Sequence, residues 1–145
     1  MQRVTKGRVI VDGEVIGAIN RGYVVLVAFR SGDDVTRMTY MVDKLANLRL
    51  FPDEEDKMNL SLDDIAGEIL VISQFTLYGD ARKGRRPSFS DSAPAAEAQE
   101  LYETFLSLLR ERGLRVQAGQ FQAYMQVELT NDGPVTIMLD SEKLF

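Results

Sequence analysis

Apolar residues near the N-terminus come in short alternating bursts, gather into one continuous run, and then switch to a helical period. Val9-Ile10-Val11 and Glu14-Val15-Ile16 flank Asp12-Gly13, a dipeptide suited to a two-residue hairpin because both central positions of that turn need positive φ. The spacing predicts an opening β-hairpin. Gly22 leads into Tyr23-Val24-Val25-Leu26-Val27-Ala28-Phe29, an apolar run rich in β-branching that predicts a strand buried on both faces. Beyond Ser31-Gly32, either Asp33 or Asp34 can cap a helix. Its apolar positions Val35, Met38, Met41, Val42, Leu45 and Leu48 recur at helical spacing.

Phe51-Pro52 ends that helix, and an acidic loop follows. The stretch Gly67 to Tyr78 predicts one long strand. A second helix is expected from about Pro94 to Gly113, with Ala98, Leu101, Tyr102, Phe105, Leu108 and Leu109 as its stripe. Two last strands, roughly Gln120 to Leu129 and Val135 to Leu139, flank Asn131-Asp132-Gly133-Pro134 and predict a second hairpin. The order β-β-β-α-β-α-β-β points to an α+β domain with a curled antiparallel or mixed sheet partly covered by helices. No repeat or linker interrupts it, so a single domain over residues 1–145 is expected.

Charge changes the picture locally. The formal net charge of −5 argues against broad attraction to nucleic acid, which depends on lysine and arginine neutralising phosphates. The charge is uneven, however. Asp53-Glu54-Glu55-Asp56 is acidic, whereas Arg82-Lys83-Gly84-Arg85-Arg86 is strongly basic. That loop reads either as a solvated segment or as a grip for phosphate. No run approaches the roughly 18 apolar residues of a membrane span, and the N-terminus lacks the apolar core of a signal peptide. A cytoplasmic location without membrane attachment is expected.

The chain contains no histidine and no cysteine. Ser-His-Asp, Cys-His and histidine-metal chemistry are therefore excluded, and reaction must rest on backbone, hydroxyls, carboxylates or the substrate itself. No metal and no cofactor is expected. Three stretches carry unusual polarity. Ser73-Gln74-Phe75-Thr76-Leu77 would, as a strand, send Ser73 and Phe75 to one face and Gln74 and Thr76 to the other. Gly133-Pro134 is either an ordinary tight turn or a fixed backbone probe. Lys83-Gly84-Arg85-Arg86-Pro87-Ser88-Phe89 sets cations beside an aromatic ring, a mixture able to hold phosphate and stack a base.

Taken together, these stretches, with Gln2-Arg3-Val4, Asn47-Leu48-Arg49-Leu50-Phe51, Lys57-Met58-Asn59-Leu60-Ser61 and Leu101-Tyr102, follow the order and spacing of the D-aminoacyl-tRNA deacylases. The chain resembles that family over nearly its whole length. The resemblance implies a barrel-like core with two to three helices packed outside, and a homodimeric esterase acting on the 3′ end of aminoacyl-tRNA at the subunit interface. It assigns the pocket for the terminal adenosine and the ester to Ser73, Gln74 and Leu77; the backbone amides around Phe75 and Thr76 are the candidate oxyanion donors, so Ser73, Gln74, Phe75 and Thr76 are the expected catalytic residues. It makes Gly133 and Pro134 a cis-peptide chirality gate reaching into the partner's pocket, supported by Arg3, Asn131 and Thr136. Lys83, Arg85 and Arg86 would contact tRNA. It further implies clearance of glycine mischarged on tRNA(Ala).

Two mechanisms stay open at this level: hydrolysis assisted by the ribose 2′-hydroxyl, and nucleophilic attack by Thr76. A noncatalytic RNA-binding or dimerisation module that keeps the fold is the alternative to an enzyme. Ala118 and Gln122 depart from the family pattern, which leads one to expect threonine and glycine there; a glutamine side chain at the second would crowd a pocket wall.

Overall fold

The computed structural model describes residues 1–144; Phe145, the end of the expected domain span, lies outside the described residues. The chain runs β1 (Gln2–Val11), β2 (Glu14–Ile19), β3 (Gly22–Val27), α1 (Val35–Asn47), β4 (Phe51–Pro52), β5 (Met58–Leu60), β6 (Glu68–Ser73), α2 (Ala95–Glu111), β7 (Arg115–Ala118) and β8 (Gln126–Thr136). Asp12 and Gly13 both take positive φ at the first turn, as the hairpin requires.

Strand β1 organises a six-stranded mixed sheet. Its C-terminal half pairs with β2 and its first residues with β3, while β8 runs antiparallel along its other edge. β3, β6 and β7 are mutually parallel, so each step between them needs a crossover, which α1 and α2 supply. At the far side Gly17 of β2 approaches β7 so closely that a Cβ there would lie 3.2 Å from the Ala118 carbonyl oxygen. The sheet therefore curls into a nearly closed, barrel-like form.

Two apolar layers stabilise this shape. Tyr23, Val25, Ile69 and Val71 pack under Met38, Val42, Leu45, Tyr102, Phe105 and Leu109 of the helices. Val4, Val9, Ile19, Val24, Leu70 and Ile72 fill the inside of the curl. Successive residues of β3 and β6 thus point into different layers, which is why both strands read as unbroken apolar runs. Asp34 caps α1 by accepting a hydrogen bond from the Arg37 amide at 2.9 Å. Among the described residues no helix is long and apolar enough to cross a membrane.

Three expectations need correction. The long strand expected to Tyr78 stops at Ser73, and Phe75–Tyr78 coil into a 3-10 turn. Its partner β3 ends at Val27, whose carbonyl accepts from the Gln74 amide at 2.7 Å; past that bond the chain has no strand to pair with. β7 was missed, although Leu114-Arg115-Val116-Gln117-Ala118 alternates with a period of two. The second hairpin does not form. β8 instead pairs with β1 on both sides of the Gly-Pro excursion, Val4 opposite Asn131 and Gln2 opposite Thr136. Two steps on β1 face five on β8, so the excess is extruded as a loop.

Candidate active site

The 3-10 turn sits at the C-terminal ends of the parallel strands. Ser73 and Gln74 are half-buried, while Phe75, Thr76 and Leu77 are exposed. The change from strand to turn brings Gln74 and Thr76 together: the Gln74 Nε2 donates to Thr76 Oγ1. The Leu77 amide bonds the Gln74 carbonyl at 3.2 Å. The amides of Phe75 and Thr76, first in the turn, have no acceptor among the described residues, so two backbone donors are available to a developing negative charge. Among the described residues no carboxylate or amine bonds the Thr76 hydroxyl, whose partner is the Gln74 amide, a group that cannot serve as a base.

A small antiparallel bridge places the basic loop beside this turn. Asp80 and Ser88 exchange both backbone hydrogen bonds, at 2.8 and 2.9 Å. Phe89, just beyond the bridge, meets Phe75 edge to face with centroids 5.2 Å apart. Arg82 forks onto Asp80 at 2.8 and 2.7 Å, and these bonds hold the Asp80 carboxyl down to about 2. Arg82 is thereby neutralised within the loop. Lys83, Arg85 and Arg86 are exposed and have no ion pair among the described residues. An open groove of about 480 Å³, lined by Leu77, Tyr78, Gly79, Asp80, Ala81 and Arg82, connects the turn with the loop.

A second cluster surrounds the extruded loop. The Gly133-Pro134 peptide is cis, Gly133 has φ +123°, and both residues are exposed. Beneath them Arg3 is only 9% exposed. Its Nη1 donates to the Leu50 carbonyl at 2.6 Å and its Nε to the Asp132 carbonyl at 3.2 Å, with the Asp132 carboxylate 3.3 Å away. Asn131 braces the loop from within, accepting from the Val135 amide and donating to Thr136 Oγ1, both at 3.2 Å. A Cβ on Gly133 would lie 3.0 Å from the Val135 nitrogen and 3.1 Å from Arg3 Nη2.

The residues picked from sequence thus fall into two groups. Ser73, Gln74, Phe75 and Thr76 adjoin Lys83, Arg85 and Arg86; Gly133 and Pro134 sit on Arg3, Asn131 and Thr136. Among the described residues no hydrogen bond or ion pair joins the two groups. Sequence reasoning passed over Asp80, although an acid two residues before Arg82 was a signal. It also overlooked Leu50, whose contribution is a backbone carbonyl and leaves no trace in residue type. Gln122 takes a left-handed conformation, φ +61°, and its side chain is exposed. That backbone explains why glycine suits the position.

Fold and site together set free backbone amides and hydroxyls at a turn beside a basic loop on a curled α+β sheet, in a chain without imidazole or thiolate. Residues 1–140 match the family described as D-Tyr-tRNA(Tyr) deacylase. The chain is 57% identical over 145 residues to a D-aminoacyl-tRNA deacylase of Clostridioides difficile (strain 630), and 54% identical to one of Clostridium perfringens (strain SM101 / Type A). Each alignment covers all of this chain and 97% of the relative. A solved structure described as c-Myc DNA Unwinding Element Binding Protein superposes with a TM-score of 0.89 at 44% identity, covering 96% of this chain and 95% of that one. The chain belongs to the D-Tyr-tRNA(Tyr) deacylase family, hydrolases of the aminoacyl-tRNA ester bond.

Proposed function

We propose that this protein, as one domain over residues 1–145, hydrolyses D-aminoacyl-tRNA to free D-amino acid and tRNA and spares the L-ester. The observation that carries the reading is the exposed Gly133-Pro134 loop standing on a frame of buried Arg3 and half-buried Asn131. A backbone probe so braced excludes by shape. Set against the substrate α-carbon, it leaves room for hydrogen but not for an L side chain, whereas a D side chain points elsewhere. Glycine offers nothing to exclude, so glycine mischarged on tRNA(Ala) is a second substrate.

Among the described residues no hydrogen bond or ion pair joins the two clusters, an arrangement that suits a homodimer in which the gate of one protomer serves the pocket of its partner. In that pocket Ser73 and Gln74 orient the terminal adenosine, and the Phe75 and Thr76 amides receive the oxyanion. Water attacks the ester carbonyl, the bond to the ribose 3′ oxygen breaks, and that oxygen takes up the proton. The neighbouring 2′-hydroxyl orients the water, so the protein contributes chiefly position and charge stabilisation. Lys83, Arg85 and Arg86 neutralise phosphates near the 3′ end. Acting on charged tRNA, the protein works in the cytoplasm.

Amino-acid release from matched D-tyrosyl-tRNA and L-tyrosyl-tRNA tests this. Rapid hydrolysis of the D-ester alone supports the gate; no hydrolysis of either points to a noncatalytic RNA-binding or dimerisation module. Charge reversal at Arg85 and Arg86 should raise KM for charged tRNA and flatten its salt dependence. Unchanged kinetics would remove the loop from the tRNA contact.

A further inference from the structure

Tyr102 of α2 is 3% exposed, yet its hydroxyl is aimed at the end of β6, two residues before Ser73. It lies 2.9 Å from the Val71 carbonyl and 3.2 Å from the Gly119 carbonyl. Val71 also accepts from the Gly119 amide at 2.9 Å, the last backbone rung between β6 and the segment leaving β7. In a parallel ladder the next rung would run from the Ser73 amide to the Gly119 carbonyl. Among the described residues that rung is not made, and the Tyr102 hydroxyl, whose one proton is shared between the nearer Val71 carbonyl and the Gly119 carbonyl, is the donor that reaches Gly119 in its place. The two chains part at this point. One continues into Ser73-Gln74 and the 3-10 turn; the other continues through Phe121, whose ring lies 5.9 Å from that of Tyr102.

We infer that Tyr102 is a positioning residue for the site: its hydroxyl caps the β6–β7 ladder one rung early and holds Ser73-Gln74 apart from the segment after Gly119, which fixes where the 3-10 turn begins. Burial pushes the phenol up to about 12, so the group stays a neutral donor and takes no part in proton transfer. The inference rests on the assignment of the pocket to Ser73 and Gln74.

The decisive variant is Tyr102→Phe, which keeps the ring and removes only the hydroxyl. The Ser73 amide can then close on the Gly119 carbonyl. With D-tyrosyl-tRNA, kcat should fall about tenfold or more while KM changes by less than about twofold, the signature of misplaced reacting groups without lost tRNA contacts. Leu109→Val, in the same helix and fully buried, serves as a control for general loosening. Hydrogen exchange at the Ser73 amide should slow in Tyr102→Phe and not in Leu109→Val. Equal kcat losses in the two variants, or an unchanged Ser73 amide, would overturn the inference. If the wild-type protein hydrolyses no D-ester, the functional reading fails instead, and the exchange measurement still decides whether the hydroxyl holds the ladder open.

Discussion

Replacing Arg3 separates the frame of the loop from the loop itself. The guanidinium spans two carbonyls on different segments, Leu50 and Asp132, and also neutralises the Asp132 carboxylate. Each hydrogen bond from a charged group contributes about 1.5–3 kcal/mol, and a carbonyl left unpaired adds to the loss. Arg3→Lys keeps the charge, but its compact ammonium cannot repeat the fork; losing one of the two bonds should cost about 2 kcal/mol. Arg3→Met loses both, for about 3–5 kcal/mol, while the Asp132 carboxylate, 41% exposed, stays solvated. A domain of this size has roughly 5–15 kcal/mol in hand, so the lysine variant stays folded, with Tm lowered by about 4–8 °C. The assay is the ratio of D- to L-tyrosyl-tRNA hydrolysis at a temperature where each variant is folded. That ratio should fall about tenfold for each 1.4 kcal/mol of gate placement lost, and further for methionine than for lysine. A methionine variant with lowered Tm and an unchanged D/L ratio would refute the gate: Arg3 would then serve the fold alone.

Gly133→Ala places a Cβ at φ +123°, 3.0 Å from the Val135 nitrogen, a strain of about 1–3 kcal/mol; D-ester hydrolysis should drop at least about tenfold with circular dichroism unchanged, and full activity would remove Gly133 from the site. Gln122→Gly relieves a left-handed φ of +61° and should stabilise urea unfolding by about 0.5 kcal/mol once glycine's extra chain entropy is subtracted, leaving turnover unaltered; a large gain in turnover would mean that the exposed glutamine obstructs the cleft. Asp80, depressed to about 2 from its ordinary 3.8 by Arg82, contributes stability that is present above about pH 4 and lost as pH falls toward 2; Asp80→Asn should flatten that acid decline in unfolding curves, and an unchanged decline would show that other carboxylates govern it.

Much of the fold was legible because its signals are local. The Asp12-Gly13 turn, the Asp34 cap and the helical stripe of α1 each depend on residues within a few positions of one another, and each formed where the pattern placed it, save that Val35 is exposed and Leu48 lies just past the helix end. The errors lie where pairing partners decide. Phe75 and Leu77 continue the alternation of a strand, but β3 ends at Val27, so a period of two carried on past the last available ladder bond. The Gly-Pro segment looked like a hairpin because glycine and proline mark turns of many kinds. Only the register of β8 on β1, fixed at Val4 and again at Gln2, makes it an extruded loop.

The sequence by itself determined which chemistry is open to this protein: with no histidine or cysteine, any hydrolysis must lean on backbone donors, hydroxyls, carboxylates or the substrate, and the collinear motifs identified the family. Tertiary structure alone decided how those groups meet. Gln74 reaches Thr76 because a strand becomes a turn, Arg82 is neutralised by Asp80 while its neighbours stay available, and Arg3 holds a loop 129 positions away through main-chain carbonyls. Carbonyls and amides are the same in every residue, so their availability is a property of where the chain runs, and no residue type announces it.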